Sequence, residues 1–195
     1  GVSTVQSLVL SLQIFSLFEK PKITAFSFDE LWLHSWTTGL LARKIAELRS
    51  PPGVEAQECF TAGLLHDVGK LVMATSLPQG YEESMDRVRK DRLPVWEAER
   101  EVLGSSHAEV GAYLLGLWGL PDALVEAAAF HQVPAKAAHR RFDVLTAVYL
   151  ANALNPQKSP TRAEAPPPLD MDYLAELGVA EDLPAWQRLA AELQG

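Results

Sequence analysis

The residues best equipped for chemistry are a histidine and an aspartate in direct succession, His66 and Asp67, within Leu64-Leu65-His66-Asp67-Val68-Gly69-Lys70. Two leucines before the pair and a glycine and a lysine after it put an imidazole nitrogen and a carboxylate oxygen at the edge of an apolar helix. Such donors suit a borderline divalent cation. Of only five histidines, His34, His66, His107 and His131 each fall in a segment that reads as helical, and His139 falls in a connection. A lone histidine on an apolar face is more often a satisfied core residue than a ligand. Several of them on helix ends or inward faces, one beside Asp67, make a shared pocket the alternative to a buried hydrogen-bonded cluster that merely tolerates polarity. Charge counting does not separate the two.

The elements that must position these side chains follow from periodicity and caps. Val2, Val5, Leu8, Val9, Leu12 and Phe15 recur at spacings of a helix face, which Phe18 extends, and a loop with Pro21 follows. Ser27 and Glu30 stand in the S-x-x-E relation of a helix start. The buried stripe of the helix they open is Leu31, His34, Thr38, Leu41, Ile45 and Leu48, so His34 faces the interior. Ser50-Pro51-Pro52-Gly53 ends that helix, and the next runs from about Glu55 through Cys59, Ala62 and Leu65 to the His66-Asp67 pair. Pro78 and Gly80 break the chain, and Tyr81 to Asp91 reads as a charged, solvated helix. Pro94 opens Val95 to Leu103, and Gly104 closes it. Ser106 with Glu109 is a second capping box, which sets His107 in the first turn of a helix that stops at Gly119. Pro121 starts an apolar, buried helix with His131 at its C-terminal end, and a last long helix spans Phe142 to Leu154. Convincing strand alternation is missing throughout, so the fold class is all-α.

Bulk properties exclude some functions. A length of 195 residues with 48% hydrophobic content supports one packed domain, or one domain with a small appendage. The formal charge of −8 opposes attraction to a phosphate backbone, which argues against a nucleic-acid partner. The single cysteine, Cys59, permits no internal disulfide and points to a reducing compartment, with the cytoplasm as default. The apolar N-terminal run lacks the basic start and cleavage site of a secretory signal and is too short for a membrane span. Five prolines, Pro156, Pro160, Pro166, Pro167 and Pro168, fall within a short interval poor in apolar residues. It reads as a semi-extended linker. Beyond it, Leu169 to Leu177 and Pro184 to Leu193 read as short helices that dock on the main body or on another chain, with Trp186, Leu183, Leu189, Ala190 and Leu193 offering the contact.

Taken together, Leu31-Trp32-Leu33-His34-Ser35, Ala62-Gly63-Leu64-Leu65-His66-Asp67-Val68-Gly69-Lys70-Leu71, Glu97-Ala98-Glu99-Arg100-Glu101-Val102-Leu103-Gly104, His107-Ala108-Glu109-Val110-Gly111-Ala112-Tyr113-Leu114-Leu115 and Trp118-Gly119-Leu120-Pro121 resemble the HD superfamily of helical metal-dependent phosphohydrolases. More specifically they resemble an HDOD domain, and the likeness runs from Gly1 to about Leu154. It implies an HD-like helical bundle at 1–155; the proline-rich linker at 156–168 and the short C-terminal helical appendage at 169–195, read from composition, follow it. It implies further that His34, His66 and Asp67 match the ligands of a first metal (iron, manganese, zinc or magnesium), and that His107 and His131 match those of a second. Lys70, and less so Arg43, are placed to contact a phosphate, as a bound nucleotide would offer; the bland alternative is that Lys70 caps a helix end.

The chain departs from the catalytic pattern in two places. Gln132 stands where binuclear relatives carry a second consecutive histidine, and Asn152 stands where the closing aspartate of the superfamily falls. An amide oxygen is a weaker donor than a carboxylate, so metal binding is expected to be weak or absent. The resemblance thus implies a signal-transduction output or adaptor module, joined to a receiver or similar upstream domain and without catalytic residues. Homodimerisation is compatible with it. The alternative is a metal-dependent phosphohydrolase acting on a nucleotide or cyclic dinucleotide. HDOD domains also begin with helices that precede the match to Val5–Ser11, so the chain reads as a fragment with apolar surface left exposed.

Overall fold

The computed structural model describes residues 9, 13, 14, 23–155 and 169–193, and among them no strand forms. The fold is all-α: α1 (Phe28–Arg49), α2 (Ala56–Leu65), α3 (Val68–Ser76), α4 (Pro78–Asp91), α5 (Val95–Leu103), α6 (His107–Leu117), α7 (Asp122–Phe130), α8 (Val144–Leu154), α9 (Met171–Glu176) and α10 (Leu183–Glu192), with 3-10 turns at Pro134–Lys136 and Ala180–Asp182.

Local chemistry sets several boundaries. Ser27 Oγ accepts from the Glu30 amide at 3.2 Å to open α1. Ser50, in the left-handed region, closes that helix with its amide on the Ala46 carbonyl. The capping box at α6 is complete, because Ser106 Oγ accepts from Glu109 N while Glu109 Oε2 accepts from Ser106 N.

Close backbone contact decides how the helices meet. α1 packs on α2, and both contact α8, while α7 lies against α2, α6 and α8. A Cβ added at Gly63 would lie 2.7 Å from the Gly39 Cα, so the α1–α2 contact needs a bare backbone on both sides. α3 packs on α6, where a Cβ on Gly69 would meet the His107 carbonyl oxygen at 1.9 Å. α4 and α5 pair with each other. α10 docks against α1 and α8, with Trp186 fully buried and its ring 6.1 Å from that of Phe142.

Several expectations need correction. Leu48 is 57% exposed, in a last turn of α1 where residues 47–50 all face solvent. The expected break falls at Leu77, between α3 and α4, and Pro78 occupies the first turn of α4, where its missing N–H costs nothing. Gly80 lies inside that helix, and a Cβ there would run into the Leu103 side chain at 2.3 Å. Nor is α4 simply solvated, since Tyr81 and Met85 are fully buried on its inner face. The last long helix starts at Val144, with Asp143 as its N-cap. Of the N-terminal amphipathic segment, only residues 9, 13 and 14 are described; Val9 is 46% exposed and Ile14 is buried. The rest of that segment and the proline-rich stretch 156–168 lie outside the described residues. Among the described residues, no helix is long and apolar enough to cross a membrane.

Candidate metal centre

The α2–α3 junction builds the heart of the site. His66 is the C-cap of α2 and Asp67 the N-cap of α3, and Asp67 makes no side-chain cap bond, so its carboxylate turns inward rather than onto its own helix. The bare Gly39–Gly63 contact brings α1 and His34 to one side, and the Gly69 contact brings α6 and His107 to the other. α7 ends at His131. The structure therefore brings His34, His66, Asp67, His107 and His131 together, each at most 5% exposed.

Asp67 divides the cluster. Its Oδ2 faces His34 Nε2 at 3.7 Å and His66 Nε2 at 3.5 Å. Its Oδ1 faces His107 Nε2 and His131 Nε2, both at 3.4 Å. Two triads sharing the one carboxylate result, His34–His66–Asp67 and Asp67–His107–His131, each with its donor atoms close enough to surround one ion.

Hydrogen bonds assign the imidazole tautomers. His66 Nδ1–H donates to the Gly63 carbonyl at 2.7 Å, and His131 Nδ1–H to the Ala128 carbonyl at 2.9 Å. His107 Nδ1–H donates to Glu99 Oε2 at 2.6 Å, and the same oxygen accepts the His107 amide at 2.7 Å. All three rings thus present an Nε2 lone pair toward Asp67, the arrangement in which a second partner orients a metal-binding histidine. His34 differs. Its Nε2–H donates to the Asn152 carboxamide oxygen at 3.0 Å, and Asn155 Nδ2 approaches its Nδ1 at 3.3 Å.

Electrostatics agree with a neutral His66 beside a charged Asp67. Burial pushes His66 well below the usual histidine range. Burial also opposes the charge on Asp67, but the Lys70 ammonium and the surrounding imidazoles hold its carboxyl well below the ordinary carboxylate value. Lys70 Nζ donates to Asp67 Oδ2 at 2.9 Å with both side chains buried. Lys70 therefore does not cap a helix end: it is the third residue of α3, at the positive end of the helix dipole, and the buried carboxylate holds it there. Arg43 is not part of the cluster and pairs with Glu47 on the surface of α1. His139 is exposed.

Buried polar atoms test whether a divalent cation fits. His66 Nε2 and Asp67 Oδ1 have no hydrogen-bond partner among the described residues, and buried atoms of this kind call for an ion or a proton. Of the two, His66 Nε2 belongs to the His34 side, whereas Asp67 Oδ1 faces His107 and His131, and the donor set there fits a cation. A cation bound there would supply positive charge to the Asp67 carboxylate, and Lewis-acid chemistry only where a coordination position stays open. On the His34 side the fit is poorer, because an ammonium is already on Oδ2 and the His34 Nε2–H is committed to a neutral amide.

Two contributors escaped the sequence reading. Glu99 fixes His107, and its signal was an acidic residue within the inward stripe Val95, Ala98, Glu99 of α5. Asn155 also anchors His34, donating to its carbonyl at 2.9 Å and to Thr38 Oγ1 at 2.7 Å; nothing in its local sequence marks it. Gln132, noted only as a departure, reaches the centre: its Nε2 lies 3.1 Å from His131 Nε2 and 3.4 Å from His107 Nε2.

An all-helical bundle that gathers a histidine, a histidine-aspartate pair and two further histidines around one carboxylate is of the HD type. The HDOD domain family matches residues 1–134, and the chain belongs to that family. An HDOD domain protein of Geobacter sulfurreducens, of known crystal structure, is similar with a TM-score of 0.76 at 20% identity over 100% of this chain and 67% of that one. The response regulator MmoQ of Methylococcus capsulatus is similar with a TM-score of 0.56 at 25% identity, over 87% of this chain and 64% of that one. An uncharacterised protein of Treponema pallidum is 24% identical over 123 residues, 63% of this chain; the match spans 24% of that protein's length.

Proposed function

We propose that this chain is a signal-transduction output or adaptor module of HDOD type whose buried centre does not hydrolyse phosphoesters. One observation carries the reading: among the described residues Asp67 is the one carboxylate shared by both triads, and the protein's own groups already answer its Oδ2 side, Lys70 on Oδ2 and the neutral Asn152 amide in place of a second acid beside His34. A hydrolytic centre needs negative charge to seat dications and an open path for water and phosphate. Here His66, Asp67, His107 and His131 are 0% exposed. Membership of the HDOD family and the likeness to a response regulator support a signalling role, in which a receiver or similar upstream domain is the partner and the bacterial cytoplasm the compartment. A homodimer and a nucleotide ligand fit the same role; Lys70 is the residue to meet the nucleotide's phosphate, and only by leaving Asp67.

The test is hydrolysis of a generic phosphodiester and of cyclic dinucleotides by the purified chain supplied with manganese or ferrous iron. No turnover above a His66→Ala variant is expected. The paired triads favour one other reading, a metal-dependent phosphohydrolase with a reduced ligand set, and metal-dependent turnover lost in His66→Ala would establish it at the expense of the first.

A further inference from the structure

We propose that the Gln132 carboxamide is the fourth ligand of a closed cation site formed with Asp67, His107 and His131, a structural site with no position left for water. This rests on the non-hydrolytic reading above and gives its physical reason.

The Nδ1–H groups of His107 and His131 are spent on Glu99 and on the Ala128 carbonyl, so both Nε2 atoms offer lone pairs. Asp67 Oδ1, buried and without a hydrogen-bond donor among the described residues, lies 3.4 Å from each. Lys70 answers Oδ2 and the Gln132 amide faces the two rings, so Oδ1 is the atom of this group left buried without a partner among the described residues, which is costly unless a cation stands beside it. The spacing of Oδ1 and the two Nε2 atoms fits a specific ion, because donors about 2.0–2.1 Å from a tetrahedral zinc are about 3.3 Å from one another. The Gln132 amide end stands at the same spacing from the two rings, 3.1 and 3.4 Å. A half-turn of that amide exchanges Nε2 for Oε1, changing the atom facing the imidazoles from a donor to a ligand. Gln132 is only partly buried, so its amide lies between the fully buried rings and solvent. Structural zinc sites are completed by protein donors, whereas catalytic ones keep a position for water. On the other side of Asp67 the Lys70 ammonium takes Oδ2, so a single cation per chain is expected.

The experiment titrates the full chain, purified without chelator, with cobalt(II), reading stoichiometry, the visible d–d absorption and the melting temperature. Expected are one equivalent bound, the intense band of tetrahedral cobalt, and a melting temperature that rises with metal. Gln132→Ala, at a partly buried position and checked for an unchanged far-UV spectrum, should bind cobalt at least ~10-fold more weakly and with a weaker band as water enters. Gln132→Glu, which keeps an oxygen donor, should retain the tetrahedral band. Failure to bind cobalt, binding of two equivalents, or identical spectra for the wild type and Gln132→Ala would each overturn the proposal. None of these touches the signalling reading, which phosphoester turnover alone would overturn.

Discussion

Lys70 and Asp67 form the ion pair on which the centre depends. Both are buried, and removing one partner of such a pair leaves an uncompensated charge in a poor dielectric. Lys70→Met should lower unfolding free energy by about 3–5 kcal/mol. The double variant Asp67→Asn/Lys70→Met should recover part of that loss, as read by urea denaturation. A Lys70→Met protein as stable as the wild type would mean that the lysine does not compensate the aspartate. Cys59 is a contrasting buried group: desolvation, reinforced by Glu58, pushes its thiol up to about 12. A thiol reagent at about pH 8 should leave it unlabelled until the protein unfolds, because the thiolate is the reacting form. Rapid labelling of native protein would contradict that burial.

Helix α6 is held to its neighbours at both ends of its first turn. Against α3 the contact is backbone on backbone, so Gly69→Ala must force the helices apart where His107 is presented to Asp67. Overpacking of this kind costs typically about 1–3 kcal/mol. A melting temperature unchanged by Gly69→Ala would show that the contact can relax. The capping box has a pH signature. Arg100, followed by the Ser106 amide and hydroxyl, overcomes the opposing effect of burial and lowers Glu109 from the ordinary 4.5 to about 2. A depressed carboxylate stabilises the fold above its unfolded value and loses that stabilisation as pH falls through the folded one. The contribution of Glu109 is therefore complete above about 4.5 and fades toward 2. Solvent screening keeps it small, since the side chain is 46% exposed. Glu109→Gln should lower stability slightly near neutrality and flatten the acid limb over that window, so that the two proteins converge toward about pH 2; an unchanged acid limb would rule the cap out as its source.

Across the molecule, the C-terminal helices are tied to the same element that carries Asn152. Tyr173 on α9 shares a 2.7 Å hydrogen bond with Thr146 on α8, and the Asp170 amide donates to Tyr149 Oη. Trp186 of α10 buries its whole side chain against the bundle. Trp186→Ala should cost about 3–5 kcal/mol, the range for emptying a buried aromatic site. A single cooperative transition at lower denaturant would follow if the C-terminal helices unfold with the bundle. A separate early transition would mean that they unfold alone.

Helix positions, caps and the identity of the inward histidines could be read along the chain, because they depend on local spacing: Ser27 with Glu30, Ser106 with Glu109, and the stripe through Leu31, His34 and Leu41. The fold class and the HDOD resemblance belong with them, carried by runs such as Gly63–Leu71 whose residue order is itself the signal. The gathering of four imidazoles about Asp67, the capture of Lys70 by that carboxylate, the hidden role of Glu99 and the reach of Gln132 into the cluster were settled only by tertiary packing. Each of those contacts joins side chains from different helices, or depends on which way a ring or carboxylate turns once α3 meets α6 at Gly69. Local periodicity carries no information about such meetings, because it describes the face a residue occupies and not the helix that comes to lie against it.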